Sequence, residues 1–196
     1  MNRRELVAGL ASVGILGGSA AILRRGFPVG SDDTGTPPEQ TTSDDPTDDS
    51  APLELRTLEV PGSDAGTIEI PNDGLTIAVA FSPVCQRCQA SMPELAAARE
   101  RLTDAYGDAI TVVSITNQQT EDQLRSWWVE HDGDWTLAFD PDRSFVTAYD
   151  IARHPVVLAI DADGTVRWED DGVLEADRIV SEVSHVLEND GDGSTE

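Results

Sequence analysis

The sequence LTIAVAFSPVCQRC, residues 75–88, joins an apolar run to a pair of cysteines. Leu75–Phe81 is apolar and rich in β-branched residues, which predicts a buried central strand. A Ser-Pro pair ends the run, and from Cys85 onward apolar residues recur at helical spacing. The first thiol is therefore predicted at a helix N-terminus, where unpaired backbone N–H groups and the helix dipole favour a thiolate. The second thiol, Cys88, lies one helical turn later and can reach the first in a disulfide.

The two cysteines are the only ones in the chain, and two residues separate them. This spacing is compatible with zinc ligation or with dithiol–disulfide exchange. Zinc needs four ligands, no second cysteine pair exists, and His131, His154 and His185 lie on separate predicted elements. The position on a strand-to-helix turn within a β-α-β pattern favours redox chemistry. We therefore predict no metal and no cofactor beyond a redox-active Cys85–Cys88 disulfide.

The charge of the chain excludes some partners. The formal net charge is -24, from 37 acidic and 13 basic residues, and every basic residue is an arginine. Such a surface repels nucleic acid and anionic lipid, so neither is an expected partner. Acidity of this degree is typical of adaptation to high salt, because a Debye length of about 3 Å at 1 M screens the repulsion between carboxylates.

The sequence divides into four parts. Residues 1–25 combine paired arginines with a glycine-rich apolar core at 7–23, which predicts a twin-arginine-like export signal or a membrane anchor. Residues 26–52 are an acidic linker without enough apolar residues to fold, and 189–196 form a similar acidic tail. The folded domain is predicted at 53–188. It is expected at the extracytoplasmic face of the membrane, either tethered or released after cleavage.

Within 53–188, strand and helix patterns alternate, which predicts an α/β sandwich with a mixed sheet. An N-terminal hairpin precedes the β-α-β unit, and a capping box at Thr120 and Gln123 begins a second helix. The Asp140-Pro141-Asp142 turn leads into a third helix, and an amphipathic helix closes the domain. The predicted strands are Leu55–Val60, Thr67–Ile70, Leu75–Phe81, Ile110–Thr116, Trp135–Phe139, Pro155–Ile160 and Thr165–Glu169.

Three segments carry a specific resemblance. They are the run from Phe81 to Leu95 with its internal Pro93, the segment from Tyr149 to Pro155, and LAIDADG at 158–164. Together they resemble the thioredoxin fold, in particular exported, membrane-tethered reductases of the TlpA and ResA group, in a haloarchaeal-like acidic version. The resemblance implies a thioredoxin-like three-layer α/β/α sandwich with a mixed central sheet and an N-terminal β-hairpin extension.

The resemblance also implies roles for the site residues. Cys85 would be the exposed nucleophile that attacks a partner disulfide, and Cys88 the buried thiol that resolves the mixed disulfide. Pro155 would be the family's cis-proline and pack beside the sulfurs, while His154 would help set the potential and the choice of partner. The remaining residues of the predicted active-site loop are Val84, Gln86 and Arg87. Arg87 either lowers a thiolate pKa or is an ordinary surface charge.

The sequence departs from the family pattern at four positions. Val84 stands where the family usually has a tryptophan, and Val79 stands where thioredoxins have a buried acid. Ser91 and Val156 replace an acid and a threonine found in relatives. Without a buried carboxylate, Cys88 would lack an internal general base, so its proton would leave to solvent or to the partner.

The predicted function is that of an extracytoplasmic thiol–disulfide oxidoreductase, most simply a disulfide reductase. Its expected partners are client proteins with disulfides and a membrane or exported electron donor, and the chain is expected to be a monomer. Ser82, three residues before Cys85, leaves open a peroxiredoxin-like thiol peroxidase. A soft Cu(I) site made of Cys85, Cys88 and His154, as in Sco-like assembly factors, is a further alternative. The last alternative is a thioredoxin-fold binding module that is inert in redox chemistry.

Overall fold

The computed structural model describes residues 52–192, with side chains to residue 189. The strands are β1 (Leu53–Thr57), β2 (Gly66–Ile70), β3 (Leu75–Ala80), β4 (Ile110–Thr116), β5 (Thr136–Phe139), β6 (Val156–Ile160) and β7 (Val166–Asp171). The helices are α1 (Gln86–Tyr106), α2 (Glu121–Glu130), α3 (Ser144–Ala148) and α4 (Ala176–Asp192). The predicted export signal or anchor and nearly all of the acidic linker lie outside the described residues.

One mixed sheet of seven strands forms the middle layer, in the order β2-β1-β5-β4-β3-β6-β7. The central strands β3, β4 and β5 are parallel, whereas β6 and β7 on one side and β1 and β2 on the other are antiparallel. The predicted N-terminal hairpin is confirmed, since β1 and β2 pair from Thr57 with Gly66 to Leu53 with Ile70. It extends the sheet beyond β5.

The helices form the two outer layers. The apolar side chains of α1, α2 and α4 share one core with the sheet, and those of α3 pack in a second core. Helices α1 and α2 connect the parallel strands β3, β4 and β5, whereas α3 lies between β5 and β6, which run in opposite directions. The predicted three-layer α/β/α sandwich is therefore confirmed. No helix among residues 52–192 is long and apolar enough to cross a membrane.

Several predicted boundaries were wrong. The first strand ends at Thr57 instead of Val60, where its ladder with β2 stops at the pair Thr57 and Gly66. The last strand continues to Asp171, two residues beyond the prediction. Helix α4 continues through residues 189–192, which the sequence had placed in the tail. Its last turns are supported by Asn189, whose Nδ2 donates to the His185 carbonyl over 2.8 Å.

The helix starts follow the sequence closely. Thr120 is the N-cap of α2, and the capping box with Gln123 is present. The buried carboxylate of Asp140 accepts hydrogen bonds from the backbone N–H groups of Ser144 and Phe145 at the start of α3. Asp140 thus provides acceptors for two backbone N–H groups at the start of α3, which would otherwise lack a partner within the helix.

Candidate active site

The two cysteines lie where the buried strand β3 gives way to α1. Cys85 is the N-cap residue of the helix, in an extended backbone conformation, and Cys88 occupies its first turn. The backbone N–H of Cys88 donates to Sγ of Cys85 over 3.4 Å. Sulfur here takes the place of the oxygen that an ordinary N-cap side chain provides. The local sequence thus places one thiol at the positive end of the helix dipole.

The environment of Cys85 favours its thiolate. Partial burial raises the pKa of this thiol, but several lowering effects together exceed that contribution. They are the hydrogen bond from the Cys88 thiol, the backbone N–H groups of Cys88 and Arg87, and the positive charge of Arg87. The net result is a pKa below the ordinary cysteine value, on a side chain that is partly exposed. A thiol of this kind is suited to nucleophilic attack.

Cys88 has the opposite character. Cys88 is only 2% exposed. Burial, together with the hydrogen bond to Cys85, raises the pKa of the Cys88 thiol to about 12. The Ser82 backbone N–H approaches its Sγ at 3.5 Å and partly opposes this effect. Val79 is fully buried in β3, in the position where the family has an acid. The groups that shift the pKa of Cys88 include no carboxylate.

A second segment faces the thiols from the start of β6. The peptide bond between His154 and Pro155 is cis, as the resemblance implied. The Cys85 thiol donates to the His154 carbonyl over 3.8 Å, and Nη2 of Arg87 donates to the same oxygen over 3.4 Å. Because β6 pairs with β3 through Val156 and Ala80, the sheet holds this carbonyl beside the helix start.

The side chain of His154 is half-buried and incompletely paired. Its Nδ1 atom is buried and has no hydrogen-bond partner among the described residues. Burial lowers the pKa of this imidazole, the Ala80 carbonyl partly opposes the shift, and the charge of Arg143 adds to it. The ring is therefore expected to be neutral near pH 7.

Val84, Gln86 and Arg87, the other residues of the predicted active-site loop before Cys88, are more exposed than Cys85. Val84 is 69% exposed directly before the nucleophile, and the Gln86 side chain is also exposed. Arg87 combines both roles that the sequence allowed, since it is an exposed charge and it contributes to the lowered pKa of Cys85. All seven predicted site residues therefore lie in two adjoining segments, 84–88 and 154–155.

A groove runs from the active-site loop along α2. It has a volume of about 480 Å³ and an apolar floor of Pro83, Val84 and Trp127, with Asp122 and Glu130 among its polar lining. Trp127 is held in place by stacking on Phe81, with ring centroids 5.1 Å apart. The adjacent Trp128 is fully buried, whereas Trp127 is 9% exposed and lines the groove as well as the core.

Two features of the site were missed by sequence reasoning. The Ser82 hydroxyl donates to Oε1 of Gln118 over 2.6 Å and so connects the active-site loop to the loop before α2. Arg143 lies near His154 and affects its pKa. Neither relationship has a local signal, because each joins residues far apart in the chain. Among residues 52–192 no group of three or more His, Cys, Asp or Glu side chains is arranged to hold a metal.

Solved structures share this architecture at low sequence identity. StoA from Bacillus subtilis is 16% identical with a TM-score of 0.59, over 68% of this chain and 96% of that chain. A secreted Mycobacterium tuberculosis disulfide oxidoreductase homologous to Escherichia coli DsbE is 17% identical with a TM-score of 0.56, over 68% and 95%. The exposed lipoprotein thioredoxin Etrx1 from Streptococcus pneumoniae is 20% identical with a TM-score of 0.56, over 69% and 99%. No curated protein matches the chain.

The fold and the dithiol at the start of α1 define a thioredoxin-like protein. The family model for Redoxin matches residues 47–187, which is most of the chain. The protein therefore belongs to the Redoxin family, and its dithiol has the chemistry of a thiol–disulfide oxidoreductase.

Proposed function

We propose that this protein is an extracytoplasmic disulfide reductase that passes electrons to client proteins through Cys85 and Cys88. The observation that carries the proposal is the contrast between the two thiols. Cys85 is accessible and has a lowered pKa, whereas Cys88 is buried with a pKa raised to about 12. One thiol is thus suited to attack, and the other stays protonated until a mixed disulfide forms.

The reaction has two exchange steps. The Cys85 thiolate attacks one sulfur of a client disulfide, forms an intermolecular S–S bond and releases the other client sulfur as a thiolate. Cys88 then loses its proton and attacks Sγ of Cys85, which releases the second client thiolate and forms the Cys85–Cys88 disulfide. Two electrons pass from the protein to the client, whose thiolates take up protons. An exported or membrane-bound dithiol must then reduce Cys85–Cys88 again.

The second step needs a path for the Cys88 proton. The groups that shift the pKa of Cys88 are Ser82, Cys85 and Arg87; none is a carboxylate, and Sγ of Cys85 is bonded to the client sulfur at this step. The client thiolate released in the first step is therefore the nearest base that the reaction itself supplies. We assign the proton transfer to that thiolate or to solvent.

The extracytoplasmic location is part of the proposal. It is supported by the export-like segment at residues 1–25 and by structural neighbours described as secreted or as an exposed lipoprotein. A membrane-impermeant thiol reagent, added to intact cells after an impermeant reductant, should label Cys85. Labelling that appears only after lysis would contradict the location.

A redox titration of the Cys85–Cys88 couple tests the function. The reduced fraction would be followed by thiol trapping against dithiothreitol buffers in molar salt. A potential near roughly −250 mV, in the thioredoxin range, is expected for a reductant. A potential near about −120 mV would instead make the protein a disulfide donor. The absence of a reversible two-electron couple would overturn the oxidoreductase function altogether.

A further inference from the structure

The arginines of this acidic chain differ in how they are paired. Among residues 52–192, every arginine except Arg87 and Arg143 forms an ion pair with an aspartate or glutamate. With 37 acidic residues and 13 basic ones in the whole chain, carboxylates are abundant and an arginine without one is the exception. Both exceptions have exposed side chains. They are therefore available to a carboxylate from another molecule.

Both arginines belong to the active-site edge of the sheet. Arg87 directly precedes Cys88 and donates to the His154 carbonyl, which also accepts from the Cys85 thiol. Arg143 follows the carboxyl end of β5, and β5 is parallel, through β4, to the strand β3 that leads to Cys85. Parallel strands end at the same edge of a sheet. The charge of Arg143 also acts on the imidazole of His154.

We propose that Arg87 and Arg143 form a carboxylate-binding site beside Cys85, which favours client segments with Asp or Glu next to the attacked cysteine. The inference rests on the function proposed above. Guanidinium groups pair with carboxylates through parallel hydrogen bonds, so an acidic side chain is the ligand that this pair suits best. The bond from Arg87 to the His154 carbonyl is 3.4 Å long, which is weak, so the guanidinium can exchange this neutral acceptor for a charged one.

The acidity of the whole protein does not prevent this binding. A net charge of -24 would repel an acidic client at low ionic strength. In about 1 M salt the Debye length is roughly 3 Å, so distant charges no longer act on the client. Direct contacts with the two arginines then decide the preference.

Two disulfide peptides that differ at one position test the proposal. Each would carry one intramolecular disulfide, with Asp in one peptide and Asn in the other directly before the attacked cysteine. The reduced full-length protein should give a kcat/KM for the Asp peptide roughly threefold above that for the Asn peptide in molar salt. R87Q and R143Q should each bring the ratio close to one, and R87K should restore part of it. R153Q is the matched control, because Arg153 is exposed, directly precedes His154 and is already paired with Asp171.

The ratio of kcat/KM for the Asp peptide to kcat/KM for the Asn peptide distinguishes failure of the carboxylate-binding site from failure of the proposed reductase function. Loss of the Arg87 charge also changes the pKa of Cys85, but that effect alters both peptides equally and cancels in the ratio. If both peptides are reduced and either R87Q or R143Q keeps the wild-type ratio, the two-arginine site is overturned while the reductase function stands. If the wild type reduces neither peptide, the proposed function itself fails. Equal loss of the ratio in R153Q would show a general charge effect and overturn the site.

Discussion

The backbone N–H of Cys88 donates a hydrogen bond to Sγ of Cys85 over 3.4 Å. The helical turn that buries the second thiol therefore also stabilises the thiolate of the first. The two pKa shifts have a common origin in this arrangement. The hydrogen bond between the two thiols lowers the pKa of Cys85 and raises the pKa of Cys88. The reactivity of the pair follows from where α1 begins.

Alkylation should distinguish the two thiols by pH. In the reduced protein, the rate at which iodoacetamide modifies Cys85 should rise with pH and reach half its maximum below the reference pKa of 9.0. Cys88 should stay unmodified over the same range, because its pKa is raised to about 12 and it is buried. Mass spectrometry of proteolytic fragments measures both rates. Equal labelling of the two cysteines at pH 8 would contradict the asymmetry.

Replacement of the buried thiol should trap the client. In the C88S variant the first exchange step proceeds and the second cannot, so a mixed disulfide between Cys85 and a client accumulates. The C85S variant should form none, because Cys88 is buried and protonated. Non-reducing electrophoresis with a disulfide-bonded test protein gives the measurement. A trapped complex with C85S would show that the assigned order of attack is wrong.

A charge on the groove floor should weaken client reduction. Val84 is 69% exposed beside the nucleophile, and a client segment that covers it would remove apolar surface from water. V84D should therefore lower kcat/KM for a protein disulfide by roughly fivefold. The rate with a small aromatic disulfide should change much less.

The control for this prediction lies on α2. Val129 is 59% exposed and is not among the residues that line the groove. V129D adds the same charge to a similar exposed valine and should leave client reduction near the wild-type rate. Equal losses in V84D and V129D would point to net charge as the cause, and the groove would have no part in client binding.

Removal of the buried carboxylate of Asp140 should destabilise the domain. Asp140 is 2% exposed and accepts hydrogen bonds from Ser144 and Phe145 at the start of α3. D140A leaves those buried donors without their acceptor, so the free energy of unfolding should fall by about 2 kcal/mol. Denaturant unfolding in molar salt measures the loss. D142A, an exposed residue in the same turn, should change stability by less than about 0.5 kcal/mol.

Local patterns were sufficient for most of the fold. The apolar run before Cys85, the alternation of strands and helices and the capping box at Thr120 all depend on neighbouring residues, and each element formed as predicted. Errors occurred at the ends of elements. The first strand ends early where its ladder with β2 stops at Thr57 and Gly66, and the extent of such a ladder depends on the partner strand as well as on the local pattern.

The candidate site was predicted in part. Its seven residues were named from a spacing and a resemblance, and the structure brings them together in two adjoining segments. Their catalytic roles stay predictions, as do the monomeric state and the high-salt adaptation. Arg143 was missed, because its relevance comes from its position at the sheet edge and from the lack of a carboxylate partner.

The sequence by itself determined the dithiol, its place at a strand-to-helix turn and the α/β alternation, because these depend on residue spacing and local backbone preference. Only the tertiary structure decided how far the two thiols differ and what faces them. The pKa of Cys88 depends on burial by the whole core, and the partners of Cys85 and Arg87 include a carbonyl at residue 154, far along the chain. Burial and long-range contacts arise only when distant segments pack together. Since these two effects set the pKa values of the thiols and the partners of the site residues, the local sequence alone does not determine them.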